Sequence, residues 1–296
     1  MNGILPLWKP KGLTSHDCVI KMRRLYKTKK VGHTGTLDPE VEGVLPICIG
    51  QATKVVPYLT DTTKTYIAEV KLGIATDTED QTGKIIEQKE VIQMPASDQI
   101  AQVLDTFRGE IVQIPPMYSA VKVKGKKLYE YARANQTVER PKRNVTIHSI
   151  EQLQKEATPH SFWLKVVCSK GTYIRTLCVD IGTKLGYPAH MHALKRTATG
   201  AMTKTDCVTF DQIMDTELHD REKFLLPTER GLDHLDKIYV NQTMKNKILH
   251  GQKLPQPEQI PKTDPFVFMY KDELLAIYKM DPKQDQQIRA VRVFNR

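Results

Sequence analysis

Segments of two-residue hydrophobic period alternate along this chain with segments of helical period, and that interleaving narrows the fold more than any other feature. Residues 65–72 place Tyr66, Ala68, Val70 and Leu72 on one face of a strand, and Phe162, Leu164, Val166 and Cys168 repeat the pattern. Between such stretches, Cys18, Val19, Met22, Leu25 and Tyr26 share one helical face, capped by Ser15. Ser97 precedes a second helix with Ile100, Val103, Leu104 and Phe107 as its stripe. Ile174, Leu177, Cys178, Ile181 and Leu185 mark a third, ending at Gly186, whose lack of a Cβ suits a left-handed terminus. The strands near residues 266–280 read as a hairpin, so the expected class is α+β, with a mixed, mainly antiparallel sheet flanked by helices.

The pattern changes after about residue 230. Residues 253–265 hold Pro255, Pro257, Pro261 and Pro265, an extended connector that resists helix. Short β-rich segments follow at 266–270, 274–280 and 288–294, with a helix near 243–250 before them. A division into residues 1–232 and a small β-rich unit, residues 233–296, is expected.

The net charge of +10 on 296 residues points to a polyanionic partner, nucleic acid first. Its placement says more than its size. Residues 19–30 carry six basic residues and no acidic one, and residues 121–144 carry eight against two. These two windows hold more than the whole net charge, so the rest of the chain is slightly acidic. A solubilising charge would be spread out; two patches fit a surface that tracks a phosphate backbone. No apolar run approaches a membrane span, and the start MNGILPLWKPKGL lacks the layout of a signal peptide. The five cysteines are widely spaced without a Cys-x-x-Cys, which fits reduced core thiols and a cytoplasmic protein.

Val31–Gly50, VGHTGTLDPEVEGVLPICIG, is the most unusual stretch. Gly32 and Gly35 permit a tight loop, and Pro39 biases Asp38 to extended geometry. A plain structural account also exists, with Asp38 as a helix N-cap and Pro39 at the first helical position. A phosphate cradle fits less well, because neither nucleotide-binding glycine pattern is present and an aspartate would repel phosphate. His190 and His192 lack a third ligand nearby, so no metal is expected.

Lys9-Pro10-Lys11-Gly12, GHTGTLDP followed by VEGVLPICIGQATK, Lys64-Thr65-Tyr66, TFRGEIVQIPPMYSAVKVKGKKLYEYAR, CSKGTYIRTL and Leu194-Lys195-Arg196 occur in that order. Together they resemble the TruB family of pseudouridine synthases from Gly3 to about Gly200; the likeness fades after about residue 230. The resemblance implies the pseudouridine synthase fold, with a C-terminal piece like a PUA-type RNA-binding domain. It implies isomerisation of uridine 55 in the T-loop of tRNA, by an enzyme that flips the base out, needs no cofactor or metal, and acts as a cytoplasmic monomer on the T-stem-loop.

By the same resemblance Asp38 is the catalytic aspartate. It can trap C1′, add to uracil C6 or act as base at C2′, and the residues do not choose among these routes. Tyr66 is expected to stack on the flipped uracil and help remove the C5 proton, and Arg175 to pair with Asp38 and lower its pKa. Tyr173 and Leu194 would line the uracil pocket, His33 would enter the space the nucleotide vacates, and Lys9 and Lys64 would lie at the substrate. An insertion at about 108–144 would close over the RNA, with Lys122, Lys124, Lys126 and Lys127 on its backbone. Three other readings stand beside this one: a tRNA-folding chaperone that needs no catalysis, a glycosidase releasing free uracil, and a guide-RNA-dependent relative.

Overall fold

The computed structural model describes residues 1–294. A nine-stranded sheet forms its centre. Its order is Gly3–Lys9, Glu42–Ile49, Ala189–Thr199, Lys64–Leu72, Ser161–Cys168, Arg143–Leu153 and Gly109–Gln113, with Val31–His33 and Met202–Thr203 paired beside this path. Every pairing in it is antiparallel except one: Glu42–Ile49 runs parallel to Ala189–Thr199, with Lys195 opposite Glu42 and Arg196 opposite Gly43. The sheet is therefore mixed and mainly antiparallel, as the strand patterns predict.

The first strands are apolar at nearly every position because both of their faces are covered. Leu5, Leu7, Leu45, Ile47 and Ile49 share one core with the helices Ser15–Leu25 and Ile174–Lys184. Ile4, Val44 and Cys48 point the other way, into a second core completed by Val267, Met269, Leu274, Ile277 and Phe294. The first four of those belong to a separate five-stranded C-terminal sheet and Phe294 follows its last strand; the far side of this sheet packs Ile248, Phe266, Phe268 and Tyr278 in a third core. The C-terminal β domain is thus seated on the back of the main sheet by shared apolar burial.

Several local expectations shift. The first helix is capped by Thr14, not Ser15: the Thr14 hydroxyl accepts from the Asp17 amide while Asp17 accepts from the Thr14 amide. Ser15 becomes the first helical residue. The basic side chains Lys21, Arg23 and Arg24 of that helix face solvent. The second helix, Ser97–Asp105, begins at Ser97 itself, behind Ala96. The proline-rich connector is not wholly irregular, because Leu254–Pro255 pairs with the last strand.

The one parallel pairing of the central sheet brings two backbones very close. Gly43 has φ of 135°, and a Cβ there would overlap the carbonyl of Arg196. Gly43→Ala is expected to destabilise the fold by roughly 2–3 kcal/mol, read as a lowered urea midpoint with unchanged slope. An unchanged midpoint would mean that these strands separate freely.

Candidate active site

Asp38 lies on a loop, and the helical account of it fails. Pro39 and Glu40 form a turn rather than the start of a helix, with the Val41 amide donating back to the Asp38 carbonyl at 3.1 Å. The loop is rigid for reasons visible on both sides of Asp38. Leu37 and Val41 are plugged into the main core. The Leu37 amide donates to Ser15 Oγ at 2.9 Å, and that hydroxyl donates back to the Leu37 carbonyl at 3.2 Å. Below the loop, Lys9 is fully buried and its ammonium donates to the carbonyls of Pro10, Leu13 and Pro39 at 2.8, 2.6 and 3.0 Å. Three carbonyls use the three donors of an ammonium, so Lys9 braces the loop from beneath instead of reaching substrate.

Arg175 stands at the second position of the helix Ile174–Lys184. A solvent-facing arginine is the simple expectation beside the stripe residue Ile174, yet its side chain is 7% exposed. Its Nε lies 3.1 Å from Asp38 Oδ2, and Nη2 lies 3.5 Å from Oδ1. The remaining donors reach the carbonyls of Thr78 at 3.0 Å and Tyr118 at 2.9 Å. The guanidinium is held on four sides and cannot swing away from the carboxylate. Sequence reasoning expects this partner to leave the Asp38 carboxyl below its usual range. The structure shows the opposite direction: burial raises the pKa, with Arg175 opposing that rise. The side chain is still 40% exposed toward the cleft, but the walls around it take away more hydration than one guanidinium returns.

The other expected residues divide into those on the cleft and those off it. Tyr66, Lys64, Tyr173, Leu194 and Lys122 line the same cleft of about 470 Å³ as Asp38 and Arg175. Tyr66 is 9% exposed and sits opposite Arg196 in the strand pairing. Lys64 is nearly buried, donates to the Thr60 and Thr62 carbonyls, and has its pKa pushed down to about 8 by burial. His33 is not on the cleft wall: it ends the short strand Val31–His33 opposite Ile47, and burial lowers its pKa. Lys124 and Lys126 are exposed on the arm between the strands Gly109–Gln113 and Arg143–Leu153, and Lys127 is half-buried against the Tyr129 ring. The arm is fastened by buried Val121 and Leu128, with the Leu128 amide donating to the Val121 carbonyl.

Two residues that the patterns did not single out complete the site. Gln113 is 1% exposed; its amide oxygen accepts from the Tyr173 amide at 2.9 Å and its nitrogen donates to the Tyr173 carbonyl at 3.1 Å. This fixes the residue that precedes the arginine helix. Arg196 is 1% exposed beneath the cleft, with Nε on the Val44 carbonyl at 2.8 Å and Nη2 on the Gly35 carbonyl at 2.9 Å. The block Leu194-Lys195-Arg196 carried the only signal for it. Lys64, Lys122, Arg143, Lys170, Arg175 and Arg196 thus surround a cleft in which Asp38 is the one acidic lining residue. Among the described residues no cluster of His, Cys, Asp or Glu is placed to hold a metal ion, and no helix is long and apolar enough to cross a membrane.

The site is a carboxylate clamped to a buried guanidinium in a basic cleft on a mixed sheet, and comparison with known proteins gives the class of the chain as that of the pseudouridylate synthases. Residues 23–174 match the TruB family pseudouridylate synthase (N terminal domain), and residues 175–233 match the tRNA pseudouridylate synthase B C-terminal domain. The chain belongs to the TruB family. It is 61% identical to tRNA pseudouridine synthase B of Oceanobacillus iheyensis, over 99% of this chain and 98% of that relative. It is 51% identical to the protein of that name from Bacillus licheniformis, over 99% and 97%. Among solved structures it resembles a chain of a Cbf5–Nop10–Gar1 complex, with a TM-score of 0.74 and 30% identity over 99% of this chain and 84% of that one.

The raised Asp38 pKa is directly measurable. Carboxyl-carbon NMR titration is expected to place Asp38 above the ordinary 3.8, and Arg175→Met, which removes the opposing charge, should move it further up. A value at or below 3.8 in the intact protein would show that the ion pair outweighs burial.

Proposed function

We propose that this enzyme isomerises uridine 55 in the T-loop of tRNA to pseudouridine, using Asp38 beside the sugar of a flipped-out nucleotide. The observation that carries the reading is the Asp38–Arg175 pair at the floor of the basic cleft. Pseudouridine formation breaks the N1–C1′ bond, turns the ring and rejoins it through C5. A nucleophilic or basic carboxylate must approach the sugar, and an immobilised guanidinium aims it. A uridine inside a folded loop has to leave its stack, at a cost of a few kcal/mol, which stacking on Tyr66 and interactions with phosphates offset. Tyr173 and Leu194 complete the walls for a planar base. The reaction is an isomerisation and needs no redox partner or nucleotide.

The exposed lysines of the arm are the groups that would engage phosphates. Lys124 and Lys126 lie free of the core, while Lys126, Lys127 and Arg133 rest over the rings of Tyr131 and Tyr129. The C-terminal β domain serves as a further RNA-binding unit of PUA type. The curated relatives are named for tRNA, which favours action on tRNA without a guide. We place the enzyme in the cytoplasm as a monomer on the T-stem-loop.

The test uses tRNA transcript carrying tritium at uridine C5, without ATP or added metal. About one tritium released per tRNA is expected, with loss of at least about a thousandfold in rate for Asp38→Asn and retained tRNA binding. Undiminished release by that variant would remove Asp38 from the chemistry; release of free uracil would make the protein a glycosidase. Neutralising Lys124, Lys126 and Lys127 together should flatten the salt dependence of tRNA binding, by roughly one unit of slope for each phosphate no longer neutralised. An unchanged slope would mean that the arm is merely solvated.

A further inference from the structure

Arg196 is the largest fully buried side chain of the protein, and a charged one. A guanidinium stays ionised at any ordinary pH, and burying it without a counter-ion is costly. Among the described residues no carboxylate pairs with it; its partners are the carbonyls of Val44 and Gly35. A strand interior of this kind is more economically filled by an apolar side chain, so the charge calls for an explanation in the site above it.

The pairing of strands supplies one. Arg196 lies directly opposite Tyr66 in the antiparallel pairing, so the two side chains share one face of the sheet, and both line the cleft with Asp38. The same side chain holds Gly35, three residues before Asp38: a Cβ at Gly35 would stand 3.2 Å from Arg196 Nη1. One cation therefore stands beside the tyrosine and holds the loop of the aspartate. We propose that Arg196 is a positioning residue for the C5 proton-transfer step, orienting Tyr66 and stabilising its phenolate against the Gly35–Asp38 loop. Burial pushes the Tyr66 phenol up, and the Arg196 charge is the foremost influence opposing that rise. A guanidinium can only donate, so it can answer a phenolate oxygen and never competes for the C5 proton. In the step itself, C5 has already joined C1′. The Tyr66 phenolate takes the C5 proton, the electrons of the C5–H bond form the C5–C6 double bond as those of the N1–C6 double bond move onto N1, N1 takes a proton from solvent, and the phenol returns its proton to solvent.

This inference rests on the proposed pseudouridylation and on Tyr66 acting in it. Arg196→Lys and Arg196→Gln are compared with the intact enzyme by single-turnover release from tRNA labelled at C5 with tritium or deuterium. Folding is checked by circular dichroism and tRNA affinity by filter binding. The expected result is a loss of about tenfold for Arg196→Lys and about a hundredfold for Arg196→Gln in turnover, with affinity little changed. The C5 isotope effect should grow as proton removal becomes limiting, and Arg196→Lys should cost much less in a Tyr66→Phe background. If Arg196→Gln does not fold, Arg196→Lys alone carries the test. Unchanged turnover, an unchanged isotope effect, or a full additional loss on top of Tyr66→Phe would each overturn the proposal, since a merely structural arginine gives those results. Full activity of Tyr66→Phe would overturn it while leaving the proposed function standing; no tritium release by the intact enzyme would remove both.

Discussion

The contact between Arg175 and Asp38 is the constraint around which the rest of this molecule is arranged. A carboxylate in a cleft is useful only if it stays aimed, and aiming it requires a partner that cannot move. Arg175 is immobilised by the Thr78 and Tyr118 carbonyls as well as by the carboxylate. Its helix is located by Gln113, which fastens the backbone of Tyr173. On the other side, Ser15 and Lys9 pin the Asp38 loop against the first helix and first strand. The pair joins elements from both ends of the sheet.

The arrangement carries a tension between burial and charge. Lys9, Lys64, Arg175 and Arg196 are all nearly inaccessible, and only Arg175 has a carboxylate partner in the site. Burying such groups costs stability unless carbonyls or anions answer them. Carbonyls answer each of the four here, and an RNA strand with its phosphates adds negative charge from outside. The Tyr118 carbonyl on Arg175 also ties the basic arm to the catalytic pair, so the segment that grips RNA is built into the same network.

Much of this was legible residue by residue. The strand alternation at Tyr66–Leu72 and Phe162–Cys168 and the helical stripe at Ile174–Leu185 all reappear in the fold. The blocks around Asp38, Tyr66, Tyr173 and Leu194 mark side chains that do meet in one cleft. Other features were hidden because they depend on which distant segments touch. Ser15 reads as a cap from its position before an apolar stripe, but Thr14 has the better geometry and leaves Ser15 free to clamp Leu37. Gln113 is a polar residue at a strand end with no local sign that Tyr173, 60 residues on, needs its amide.

Taken alone, the amino-acid sequence determined the class of fold, the two basic patches and the family, because periodicity, charge density and motif order are properties of local sequence. The tertiary structure decided which charges are buried and against what. Arg175 is solvent-facing by local pattern and becomes buried only when Thr78 and Tyr118 arrive from 97 and 57 residues away. The direction of the Asp38 shift followed the same logic. Opposite charge argued for a stronger acid, and the enclosure of the carboxylate by packed walls made it a weaker one, since desolvation depends on all the atoms around a group and no local pattern records them.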